Sequence, residues 1–169
     1  MKNTFKITKI ILLILLLSSL KTFAQQERYV GNWLINPAKS NFGNVPLWTS
    51  VKQFQMRKQQ DTLFLKSVNT DEAGHMDTSN SVYLIGQILL KTMKNNMAMQ
   101  AKINWSESDH NFLRTATYRD PADNKLLLVL NEIWSLSADG NELTITKSVQ
   151  DVNNSALSYT TTAVLDKQK

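Results

Sequence analysis

The chain has 169 residues, 20% of them charged, no cysteine and a formal net charge of +5. That length suits one domain. The lack of cysteine excludes a disulfide-stapled scaffold, a catalytic thiol and a lipid anchor on an N-terminal cysteine.

The first element is an export signal. Lys2, Lys6 and Lys9 precede an apolar run from Ile10 to Leu17, and Thr22-Phe23-Ala24 offers small residues at the first and third positions before a cut ahead of Gln25. This order of basic, apolar and small-residue regions is that of a cleavable signal peptide. The apolar run is shorter than the roughly 20 residues that a spanning helix needs. Residues 1–24 are therefore expected to be a signal peptide and residues 25–169 a single domain, periplasmic or secreted after cleavage near Ala24. Cleavage also removes Lys2, Lys6, Lys9 and Lys21, leaving fifteen basic residues against fourteen acidic ones. The near-neutral remainder gives no warrant for a nucleic-acid footprint, and no later segment is long and apolar enough to span a membrane.

Beyond the signal, short alternating segments are broken by Asp, Asn, Gly and Ser, the pattern of half-buried strands. Strands are expected at 30–36, 50–58, 62–68, 80–85, 98–105, 112–119, 125–136, 142–150 and 156–165. Residues 88–97 suit either a short helix or, the preferred reading, a short strand and a turn at Lys94-Asn95-Asn96. A unit also repeats. Gln59-Gln60-Asp61-Thr62-Leu63-Phe64-Leu65-Lys66-Ser67-Val68 matches Gly140-Asn141-Glu142-Leu143-Thr144-Ile145-Thr146-Lys147-Ser148-Val149. Phe54 and Trp134 each stand nine residues before the aligned leucine, and Trp105 stands eight before Leu113 in a looser copy. Polar loops at 69–79, 120–124 and 151–155 complete the units. Such a meander without crossover helices is expected to curl into an all-β, antiparallel up-and-down barrel of roughly 8–10 strands, since closure removes exposed edges.

Val30-Gly31-Asn32-Trp33 places a Gly-x-Trp on the first strand, as in lipocalins and their calycin relatives. The stretch from Gly31 to Phe42, the Asp61-Thr62-Leu63 unit and the run from Trp134 to Ile145 resemble a group of small exported bacterial lipocalin-like proteins. The resemblance implies a barrel and leaves activity open, because such relatives mostly have none assigned. Lipocalins also carry an arginine near the last strand that packs over the tryptophan, and residues 156–169 contain none.

The chemistry-bearing residues are sparse. There is no Gly-x-Ser-x-Gly elbow, and His75 and His110 both fall in expected turns. Asp71, Glu72, His75 and Asp77 fall within seven residues and could hold a hard cation. Similar loops carry Asp120, Asp123 and Asn124, or Asp151, Asn153 and Asn154, so turn-forming side chains explain the cluster better. The five glycines never take a phosphate-loop spacing. No catalytic residue, metal or cofactor is therefore expected.

The most informative pattern is a polar pair on an apolar face. If residues 138–141 close a hairpin, Trp134 faces Ile145, Leu130 faces Val149 and Glu132 faces Lys147. By analogy Phe54 faces Leu65 and Lys52 faces Ser67. The pair then either sits at a rim, the preferred reading, or lines the barrel interior. In the second case Lys52, Ser67, Glu132 and Lys147, with Trp134, would contact a ligand. Trp33, Phe54, Trp105 and Trp134 are expected to pack one end of the barrel. Tyr83, Tyr118 and Tyr159 are candidates to face a cavity, and Met93, Met97 and Met99 to form its lip. The function expected is non-enzymatic binding of a small apolar or amphipathic ligand. The alternative is a structural or interaction protein of the cell envelope with a filled barrel.

Overall fold

The computed structural model describes residues 24–46, 50–71, 73–93 and 96–169. The signal region up to residue 23, Glu72, Lys94 and Asn95 lie outside the described residues. The alternation read from the sequence becomes ten antiparallel strands: β1 (Gly31–Ile35), β2 (Val51–Gln59), β3 (Thr62–Thr70), β4 (Met76–Leu84), β5 (Ile88–Thr92), β6 (Ala98–Ser106), β7 (Asn111–Arg119), β8 (Leu126–Leu136), β9 (Glu142–Asp151) and β10 (Tyr159–Gln168). They form one sheet in the order β4-β3-β2-β1-β10-β9-β8-β7-β6-β5. Strand β10 returns to pair with β1, Trp33 opposite Lys167 and Ile35 opposite Leu165. The meander thus closes into a barrel except at one seam, between β4 and β5.

Ile88–Thr92 forms the expected short strand, β5, after which the Met93 N–H bonds the Met97 carbonyl; the turn expected at Lys94-Asn95-Asn96 falls mainly on residues outside the described ones. Two boundaries differ from expectation. The loop expected at 69–79 is only 71–75, because Asp71 closes it alone: its Oδ1 accepts the His75 N–H at 2.8 Å and its Oδ2 lies 2.9 Å from His75 Nδ1. Strand β10 starts at Tyr159 rather than residue 156, since a 3-10 turn over Ser155–Leu157, capped by Asn154, occupies the first positions.

One end of the barrel is filled. A helical turn over residues 24–27 lays Tyr29 beneath the strands, where it is 1% exposed. Its single O–H stands between the carbonyls of Trp134 (2.9 Å) and His110 (2.8 Å), which share it as acceptors, and burial raises its pKa to about 12. Its ring meets Phe112 edge-on at 5.0 Å and Trp105 at 5.8 Å. Phe54 meets Trp134 at 5.3 Å. Trp33 donates its Nε1–H to the Tyr29 carbonyl at 3.0 Å. These rings, with Met56, Leu63, Leu143 and Leu165, make the buried floor, and edge-to-face contacts of this kind add about 0.5–1.5 kcal/mol each beyond burial.

The cation missing from the sequence motif is present as lysine. Lys167 Nζ lies 5.0 Å from the centre of the Trp33 ring and donates to the Arg28 carbonyl at 3.0 Å. Its stem crosses Gly31, where a Cβ would stand 2.8 Å from Lys167 Cε and φ is +150°. The glycine and the tryptophan of the Gly-x-Trp therefore serve one contact: the first lets the lysine pass, the second receives its charge.

Tyr29→Phe is expected to cost about 1 kcal/mol in urea unfolding at pH 8. Because the folded-state pKa is raised, Tyr29 contributes its stability below pH 10 and loses it as pH climbs to about 12. Between pH 8 and pH 11 the urea midpoint should therefore fall less for the variant than for the wild type.

Candidate functional site

Above the floor the inner wall changes character. In the cross-strand row that succeeds Phe112 and Trp134 into the barrel, Arg114 on β7 faces Glu132 on β8, and Glu132 faces Lys147 on β9. Alternation forces all three inward, since their neighbours two residues away (Phe112, Ala116, Trp134, Leu130, Ile145 and Val149) belong to the interior. A plus–minus–plus row therefore lies across three adjacent strands.

The centre of the row is a near-buried ion pair. Arg114 and Glu132 side chains are each 13% exposed, and Arg114 Nη1 lies 3.2 Å from Glu132 Oε2. The same carboxylate oxygen accepts the Trp134 Nε1–H at 3.0 Å. Arg114 Nε–H donates at 3.0 Å to the hydroxyl of Tyr83, which comes from β4 on the far side of the seam. Arg114 is thus a strut across the interior. Burial works against its charge, but Glu132 and the hydroxyls of Tyr83 and Tyr118 outweigh that and hold its pKa above the ordinary value. Lys147 has no such compensation: burial, with some help from Arg114 and against the pull of Glu132, lowers its pKa. Its ammonium sits 5.8 Å from the centre of the Tyr159 ring.

A cavity of about 170 Å³ opens beside this row, lined by Val51, Leu65, Ser67, Tyr83, Met99, Arg114, Tyr118, Glu132 and Trp134 among others. Ser67 and Ser79 hydroxyls pair at 2.7 Å on its wall. A cleft of about 480 Å³ at the seam, lined by Asp77, Thr78, Asn80 and Met97, shares Ser79, Lys91 and Met93 with it. Across the seam Lys91 Nζ donates to the Asn80 carbonyl at 3.2 Å. Toward the turn at 85–87 the seam is tied shut, Gly86 N–H bonding the Ile103 carbonyl at 2.7 Å.

Of the sequence-derived site residues, Glu132, Trp134 and Ser67 line the cavity, and Lys147 completes the charged row. Lys52 is on the exposed surface. Two features move it. Hairpin β2–β3 closes over only Gln60-Asp61, Gln60 at φ +52°, so Phe54 pairs with Ser67 and Met56 with Leu65, two residues from the register inferred by analogy. A bulge between Val51 and Gln53 then gives the inner position to Val51. Arg114 escaped the sequence reading. Its signal was a lone charge at the inward parity of Phe112-Leu113-Arg114-Thr115-Ala116, between two residues that are 0% and 2% exposed. Of the other candidates, Tyr83, Tyr118, Met93 and Met99 line the cavity. Among the described residues no group of acidic and histidine side chains could hold a metal ion. The carboxylates of Asp120, Asp123 and Asp151 accept backbone N–H groups of their own turns.

No protein-family model matches the chain, and no curated protein sequence does. Solved structures do match its shape. A structure described as the REP1-NXSQ fatty acid transporter superposes with a TM-score of 0.53 at 12% identity, over 83% of this chain and 96% of that one. At that identity the similarity is one of fold alone.

Removing one partner of a buried ion pair strands the other, at about 3–5 kcal/mol, whereas replacing both by apolar residues is often neutral. Glu132→Leu should therefore lose about 3 kcal/mol or more in urea unfolding, and Arg114→Met/Glu132→Leu should recover most of it.

Proposed function

We propose that the chain is a non-enzymatic carrier that holds one small amphipathic ligand, its acidic head on the Arg114–Glu132–Lys147 row and its apolar part toward the open end. The observation that carries this reading is the cavity itself, walled by apolar side chains, serines and tyrosines, with Arg114, Glu132 and Lys91 in its lining and Lys147 next to Glu132 in the charged row. An apolar pocket with a few convergent polar groups is the usual form of a small-molecule site. An entering carboxylate would meet Arg114, Lys147 and the hydroxyls of Tyr83 and Tyr118, and would compensate the charge that burial disfavours on Lys147. At about 170 Å³ the cavity lies below the usual range for drug-sized ligands, so the ligand is short or leaves its tail in the mouth near Met93 and Met99. The likeness in fold to a protein described as a fatty acid transporter supports the same ligand class.

We further propose that the carrier works after export, its signal peptide cut between Ala24 and Gln25. Two observations support this: the sequence order of residues 1–24, and the packing of Gln26 and Tyr29, 6% and 1% exposed, into the closed end directly after the cut.

One preparation tests both. The full chain expressed with its own leader, recovered from periplasm and medium, should weigh by mass spectrometry as residues 25–169. Under native conditions it should carry an extractable lipophilic acid. In titrations, dodecanoate should bind at least about tenfold more tightly than dodecylammonium, a difference of about 1.4 kcal/mol. Ser81→Phe, which fills the cavity, should abolish binding. Retention of residues 1–24, or equal affinity for both amphiphiles, would count against the respective half of the proposal.

A further inference from the structure

The charges of the barrel's outer surface are segregated by wall. On strands β2 to β7 the outward positions carry Arg57, Lys66, Lys102 and Arg119, and the one carboxylate in those six strands, Asp77, falls on the inward parity of Ser79, Ser81 and Tyr83 at the open rim. On β8, β9, β10 and β1 the outward charges are Glu142 and Asp166, both bound to Lys39, while Lys147 and Lys167 turn inward. The near-neutral total of the domain thus conceals a cationic wall, set opposite one whose two carboxylates share Lys39.

Exposed apolar side chains cluster on the cationic wall, four of them about one turn, whereas Leu34 and Ile133 stand singly on the opposite wall. The first outward residues on either side of the turn at 85–87 are Leu84 and Ile88, 41% and 58% exposed, and the next are Val82 and Leu90, 51% and 73% exposed. Basic residues flank them in register: Val82 pairs with Phe64, which pairs with Arg57, and Ile88 pairs with Lys102. Arg57 lies over the Phe64 ring at 5.8 Å from its centre. Lys66 stands one outward position along from Phe64, beside Asn80.

We propose that this wall, centred on the β4/β5 seam, is a docking surface for an anionic phospholipid bilayer. Apolar side chains that enter the headgroup region beside lysines and arginines that meet lipid phosphates are the two halves of interfacial membrane binding. The charge complement excludes a basic partner, and the apolar centre exceeds what a purely electrostatic contact needs. The turns set the orientation. Asp61, Glu107, Asp109 and Asp139 outnumber Arg28 in the turns at the closed end, and Asp71, Asp120 and Asp123 outnumber Lys125 in those at the open end. Anionic headgroups repel both ends, so the barrel lies on its side with the seam facing the bilayer. The surface stands on outer residues alone and goes beyond the carrier reading, because an empty barrel would dock equally well.

The test uses the ligand-free domain, residues 25–169, sedimented with vesicles of phosphatidylcholine alone or with one-third phosphatidylglycerol. Binding is expected only to the anionic vesicles and should fall steeply as salt shortens the screening length. Lys66→Glu should weaken it about tenfold, and Ile88→Ser/Leu90→Ser by a similar factor. Lys169→Glu changes net charge equally at the chain terminus beyond β10 and should leave binding nearly unchanged. All three sites are on the surface, and circular dichroism confirms that each variant is folded. Failure to pellet with anionic vesicles, equal binding to both vesicle types, or an equal loss in Lys169→Glu would overturn the proposal.

Discussion

The arrangement of the interior depends on one ion pair. A guanidinium in the middle of a barrel is tolerable only if its charge and its N–H groups are met, and Arg114 is met from two sides: by Glu132 on the adjacent strand and by Tyr83 from across the seam. That requirement fixes where the filled part of the barrel stops. Below the pair the rings of Tyr29, Phe54, Phe112 and Trp134 pack without a gap for ligand; beside and above it the wall side chains are serines, methionines and tyrosines that leave space. Through its bond to Tyr83, Arg114 also joins β4 to β7 across the interior, where the sheet provides no ladder between β4 and β5.

The barrel itself was largely legible from the chain because its turns are written in local chemistry. The Asp139-Gly140 turn sets the β8–β9 register correctly, so that Trp134 meets Ile145 and Glu132 meets Lys147. Gly140 takes φ +74° there and Asp139 accepts from Ser137 and Asn141, the conformational freedom and side-chain bonding for which such residues are selected. The β2–β3 hairpin resembles it in sequence, yet its turn has only two residues, and a shorter turn shifts every pair beyond it. The shorter turn takes Ser67 from Lys52 and gives it to Phe54, and the bulge at Val51–Gln53, which leaves no reliable mark in sequence, turns Lys52 outward.

The site was half legible. Cross-strand logic reached Glu132 and Lys147, which share a hairpin. Arg114 belongs to the neighbouring hairpin, and Tyr83 is 31 residues from it in the chain and across the seam. Contacts of that kind depend on barrel closure, which no local periodicity encodes. Lys167 shows the same limit in another form: a search for arginine missed it, although a lysine stem over Gly31 brings a cation to Trp33 just as well. Net charge misled similarly, since a total near zero conceals the outward cations gathered on β2 to β7.

If Arg114 both supports the cavity and, as proposed, receives the ligand's head, its side chain must sense the ligand directly. The most direct measurement is the side-chain Nε–H resonance of Arg114 in solution, monitored during addition of dodecanoate. That Nε–H, held by Tyr83, should be resolved and slowly exchanging in the empty protein, should move in a saturable one-to-one titration and should not move with dodecylammonium. A resonance that exchanges rapidly without ligand, or that stays fixed while dodecanoate binds, would contradict that role.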